Sequence, residues 1–83
     1  MKYTLKKSTR KHKKYMAIFS SDNTSKKVHF GDNRYQQFND STGLGIYSHL
    51  NHGDNERKHR YYSRHGKTAV LYSAKWFSHK YLW

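Results

Sequence analysis

A chain of 83 residues with 17 Lys and Arg against five acids carries a net charge of +12, and it has no cysteine and no proline. These totals describe one small basic domain and exclude a disulfide framework, a Cys-based zinc site and, since no apolar run approaches ~20 residues, a transmembrane helix. With only five Leu, two Ile and two Val, the core must come largely from 14 aromatics, each able to bury ~150–250 Å².

Residues 1–14 read as a basic arm: Lys2, Lys6, Lys7, Arg10, Lys11, Lys13 and Lys14 with His12 and no acid. Dense like charge disfavours a packed core, and its natural role is an electrostatic tether to phosphates or acidic protein. Residues 15–83 read as the folded domain. Within it, 15–19 (Tyr-Met-Ala-Ile-Phe) predict a strand, 20–25 a turn rich in Ser, Asp and Asn, and 26–30 (Lys-Lys-Val-His-Phe) a returning strand. In the second strand Val28 and Phe30 share one face, and Lys27 and His29 the other. A lone hairpin is barely stable in water, so it must pack on something, with residues 3–5 as a candidate third strand.

Gly31-Asp32-Asn33 stops the hairpin, and Tyr35 and Phe38, three apart, suit one helical turn or a packed loop. Leu44, Ile46, Tyr47 and Leu50 form the densest apolar cluster before a well-punctuated helix over 54–65. There Asp54 caps, Glu56 meets the positive dipole end, and Gly66 follows Arg64 and His65 as the stop. The i, i+4 pairs Arg57–Tyr61, Lys58–Tyr62 and Tyr61–His65 support it, and arginine stems can lie along tyrosine faces. Residues 68–72 suit a short strand or the lead-in to a second helix. Ser73 can cap a last segment, 74–83, holding Trp76, Phe77, Tyr81, Leu82 and Trp83. These rings are expected to be core rather than a base-stacking platform. The fold expected is α+β, a small single domain: an N-terminal β-hairpin packed on the central helix, sealed by the C-terminal aromatic segment and completed by a partner.

Chemistry-bearing constellations are sparse. His49 and His52, three apart, are weak metal candidates, with Asp54 as an oxygen donor; the spacing matches no tight zinc pattern, so no metal or other cofactor is expected. Gly45-Ile46-Tyr47 spells half of the GIY-YIG nuclease signature, but no Tyr-Ile-Gly follows and Glu56 is the only glutamate. No Gly-x-Ser-x-Gly elbow, phosphate loop or acid–base carboxylate pair is present, so no catalytic residue is assigned and an enzyme is not expected. The charge points instead to an anionic partner. The candidate contacts to nucleic acid or an acidic partner are Lys6, Lys7, Arg10, Lys11, Lys13 and Lys14, then Arg57, Arg60 and Arg64. Binding of that kind is salt-sensitive and sequence-tolerant.

Several ordered segments carry a resemblance. They are Val28-His29-Phe30-Gly31-Asp32-Asn33-Arg34-Tyr35, Asp40-Ser41-Thr42-Gly43, Tyr47-Ser48-His49-Leu50, Tyr62-Ser63-Arg64-His65-Gly66, and Ser73-Ala74-Lys75-Trp76-Phe77 with Ser78-His79-Lys80-Tyr81-Leu82-Trp83. Together, over 15–83, they resemble a family of small basic proteins of unknown function from large DNA viruses of algae and protists and from some tailed phages. The resemblance implies a viral, virion-associated protein and brings no catalytic residues. The resulting expectation is a non-enzymatic minor capsid or cement protein bound to acidic capsid surfaces or genome, with a sequence-tolerant DNA-condensing protein as the alternative. Its partners would be viral capsid proteins, DNA or both. Its place would be the virion or the host-cell interior, since the basic N-terminus lacks an apolar signal-peptide core and export is not expected.

Overall fold

A computed structural model describes residues 3–20 and 25–83. Strands β1 (Tyr3–Lys7), β2 (Lys13–Ser20) and β3 (Ser25–Asp32) form an antiparallel sheet in the order β1-β2-β3, followed by helices α1 (Asn55–His65) and α2 (Ala74–Tyr81). This is an α+β fold with the strands preceding the helices. The predicted hairpin and third strand are present, although most of the predicted 20–25 turn lies outside the described residues. Residues 3–7, read from charge as part of an arm, are an edge strand, with Tyr3 opposite Phe19, Leu5 opposite Ala17 and Lys7 opposite Tyr15. The alternation of Tyr3 and Leu5 toward the core outweighs the repulsion between the lysines, which stay solvated.

The same period-2 alternation puts Tyr15, Ala17 and Phe19 of β2 and Phe30 of β3 into one buried cluster, closed by Phe77 of α2 and by Leu82. The helix lying against the sheet is therefore α2, on β3, and not the central helix. The aromatic spacing on α2 decides this. Phe77 stacks on Phe30 at 5.3 Å between ring centroids and meets the edge of Tyr3 at 5.0 Å. Helix α1 has no such apolar face. It docks on the C-terminal segment through Tyr61, whose ring is stacked on Trp83 at 4.4 Å and 5°, and Tyr61 meets the His65 ring at 4.6 Å as its i, i+4 spacing requires. The predicted caps are in place. Asp54 accepts from the backbone N–H of Glu56 and Arg57, Gly66 (φ 77°) ends α1 by donating to the Tyr62 carbonyl, and Ser73 accepts from the N–H of Trp76.

The long segment between β3 and α1 holds a single 3-10 turn, Ser48–Leu50. The chain's C-terminal carbonyls pin it: Phe38 and Asn39 donate to the Leu82 carbonyl, both at 3.1 Å, and Ser41 to that of Tyr81 at 2.8 Å. Gly31 makes this closure fit. Its φ is +75°, and a Cβ there would stand 2.8 Å from Leu82 Cδ1 and 3.2 Å from Lys14 Cβ, so backbone strain and overpacking both demand glycine.

Candidate functional site

The nine cations singled out by sequence fall into two groups and one exception. Lys6 and Lys7 at the end of β1, with Arg10 and Lys11 in the following turn, are exposed. That turn is held by Ser8, whose N–H donates to the Lys14 carbonyl at 3.0 Å and whose hydroxyl accepts from the N–H of Arg10 and meets His29 Nδ1 at 2.7 Å. Lys13 is half-buried beside it.

Lys14 is the exception. It is 2% exposed, and its ammonium donates to Oε1 of the fully buried Gln37. Burial pushes its pKa down to about 8, partly opposed by Asp32 and Asp40. A buried, hydrogen-bonded ammonium cannot also reach an external phosphate, so Lys14 is a structural residue. Gln37 serves as the hub around it. Its amide donates to the Tyr47 carbonyl at 2.8 Å and to Asn51 Oδ1 at 2.6 Å, while its backbone bridges Leu50 and His52. Charge density alone gives no signal of this, and neither does Gln37, which follows an exposed Gln36 in the chain and differs from it only in its burial.

The second group lies on α1. Arg57, Arg60 and Arg64, at i, i+3 and i+7, share one helix face and line a groove of about 350 Å³ with Ser63 and Trp83. Arg57 donates to Gln36 Oε1 at 2.7 Å. Arg60 is 3.5 Å from Glu56 in a pair exposed on both sides, which contributes little. Arg64 has no side-chain partner among the described residues. The only other ion pair among them is Arg34–Asp32, in which the guanidinium's hydrogen bond holds the Asp32 carboxyl far below the usual range. On α1 it is Lys58, not an arginine, that lies over a ring, 4.4 Å from the centroid of Phe38 in the preceding loop. Phe77 and Leu82 are buried core as expected, whereas Trp83 is half-buried and borders the arginine groove, a contact that needs the tertiary fold to bring residues 57–64 and 83 together.

The weak metal candidates do not converge. His49 is exposed on the 3-10 turn, and His52 Nδ1 accepts the Asp54 N–H at 2.9 Å. Among the described residues no group of three or more His, Cys, Asp or Glu is placed to hold a metal ion. With Nδ1 accepting, His52 carries its proton on Nε2, which is buried without a partner, and the ring lies 5.3 Å from that of Trp83. Burial, and then the Arg57 charge, lowers the His52 pKa below 6.5. Burial first also lowers those of His29 and His79. The unfolded chain therefore takes up protons first as pH falls. The stability these neutral rings contribute is complete above pH 6.5 and is lost on acidification between 6.5 and their lower folded values. Urea midpoints should accordingly drop from pH 7.5 to pH 5. His52→Asn keeps an oxygen to accept the Asp54 N–H but cannot titrate, so its drop should be smaller; a drop equal to that of the unsubstituted protein would remove His52 from this account.

The arrangement as a whole presents basic side chains from the β1–β2 turn and from one face of α1. Residues 3–42 match the model of a family of unknown function, DUF5754, a similarity over just under half of the chain. The matched segment takes in the basic residues before Tyr15, which the motif-based resemblance over 15–83 leaves out, and stops short of both helices. No curated protein and no solved structure matches. No helix among the described residues is long and apolar enough to cross a membrane.

Proposed function

We propose that this chain is a non-enzymatic structural protein of a virus particle, of minor capsid or cement type, which grips acidic capsid surfaces or the genome through its basic residues. The observation that carries the binding part is the surplus of accessible cation: exposed Lys6, Lys7, Arg10 and Lys11 at the hairpin end, and exposed Arg60 and Arg64 with half-buried Arg57 along α1, against two ion pairs among the described residues. Charges on two separate elements of one frame suit bridging between two anionic surfaces. The viral setting, in the particle or the host-cell interior, rests on the ordered motifs over 28–83. Mass spectrometry of purified particles tests it directly, and absence of the protein from them would sink the structural reading.

Sequence-tolerant DNA binding is the second reading, favoured by the concave placement of three arginines beside an indole. A gel or filter assay with DNA of arbitrary sequence should show affinity falling steeply from 50 to 200 mM salt. If four to seven of the exposed cations meet phosphates, log K against log salt has a slope of roughly −4 to −6. No binding at low salt would eliminate this reading and leave an acidic protein surface as the partner.

A further inference from the structure

We propose that the groove between α1 and Trp83 is a single-strand nucleic-acid site, in which the arginines hold phosphates and a base packs on the exposed part of the indole. This rests on the polyanion-binding reading above and assigns it a place and a ligand class. Four observations converge. Arg57, Arg60 and Arg64 line one wall over about 10 Å of helix, a rise of 1.5 Å per residue. All three are arginines, whose planar fork pairs with phosphate bidentately and stacks on rings, although lysine outnumbers arginine in the chain. Ser63 adds a hydroxyl donor between them. Trp83 is held by its stack on Tyr61 and by the His52 ring 5.3 Å away, so the part of the indole they leave exposed is presented with little rotamer freedom to lose.

The groove is too small for a duplex to enter, yet about 350 Å³ accommodates one extruded nucleotide unit. An acidic peptide would satisfy the arginines and leave the indole unused. Basic grooves with aromatic platforms bind single strands in a sequence-tolerant way, because every base has a π-face.

The probe is an oligothymidylate of about ten residues, compared with an abasic strand of the same phosphate count, a duplex of equal length and polyglutamate, all at low salt. The thymidylate is expected to bind about tenfold tighter than the abasic strand. In a Trp76→Phe protein, where Trp83 is the sole tryptophan, it alone should quench the fluorescence. The Arg60→Gln, Arg64→Gln variant, altered only at exposed positions, should flatten the salt slope by about one to two. Equal affinity for thymidylate and abasic strands without quenching overturns the base site but leaves polyanion binding standing, as does tighter binding of the duplex. Polyglutamate that competes as well as DNA, charge for charge, also overturns it in favour of an acidic protein. No binding to any polyanion overturns both readings together.

Discussion

Phe77→Ala is expected to cost about 3–5 kcal/mol of folding stability, much of what an 83-residue domain possesses at roughly 0.05–0.15 kcal/mol per residue. Phe77 is fully buried, and its ring centroid lies 5.0–6.3 Å from those of Tyr3, Phe19, Phe30, Tyr72, Trp76 and Tyr81. Those six rings come from β1, β2, β3, the lead-in to α2 and α2 itself, so the void left by alanine borders nearly every element of the core. Rigid rings held by several different strands cannot collapse into that void together, which puts the cost at the high end of the cavity range. Phe77→Leu refills most of the volume and should cost roughly 1–2 kcal/mol. Urea denaturation followed by tryptophan fluorescence reads both, and a loss under about 1 kcal/mol for the alanine variant would show that this core is not organised around Phe77.

Gln37→Leu should be nearly as damaging, at about 3–5 kcal/mol, although it replaces a polar residue with an apolar one in a fully buried position. The amide is the hydrogen-bond partner of the Lys14 ammonium, and it also satisfies the Tyr47 carbonyl and Asn51. Leucine would leave a buried charge without its acceptor, a situation far costlier than a lost neutral hydrogen bond. The test is a double-mutant cycle. Lys14→Met removes the stranded charge, so the Lys14→Met, Gln37→Leu double variant should be more stable than Gln37→Leu alone by about 1–3 kcal/mol. A double variant no more stable than the single one would mean that Gln37 acts only through Tyr47 and Asn51. Because Lys14 sits on the central strand and Gln37 in the loop, the cycle also measures how firmly that loop is bound to the sheet.

The helix ends were legible because their causes are local. Asp54, Gly66 and Ser73 act on backbone groups within three or four residues, and the structure has each doing so. The alternation of Val28 and Phe30 with Lys27 and His29 was legible for the same reason, whereas 15–19, with Met16 and Ile18 between Tyr15, Ala17 and Phe19, was legible as a strand only from its β-favouring residues and lack of a breaker. Lys6, Lys7, Arg10, Lys11, Arg60 and Arg64 are exposed, as charges without a buried partner must be, and Arg57 is half-buried on Gln36. Lys14 misled because it stands in the same basic run, and only a glutamine 23 residues further on makes its burial tolerable. Residues 3–5 were legible both as part of a basic arm and as a candidate third strand; the register that pairs Tyr3 with Phe19 and Leu5 with Ala17 decides for the strand, and it joins residues too far apart in the chain to be counted in sequence.

The sequence by itself determined that the chain is a small basic α+β protein with an aromatic core, two capped helices and a large excess of cations over acids. Period, capping chemistry and net charge are properties of neighbouring residues, and they need no knowledge of the fold. The tertiary structure decided which helix covers the sheet, that Lys14 is structural, that His52 is committed to the Asp54 N–H, and that Trp83 shares a groove with Arg57, Arg60 and Arg64. Each of these depends on the packing of whole side-chain surfaces across long sequence separations. Of the two aromatic-bearing helices, 11 and 8 residues long, it is the shorter one, carrying Phe77 toward Phe30 and Tyr3, that covers the sheet.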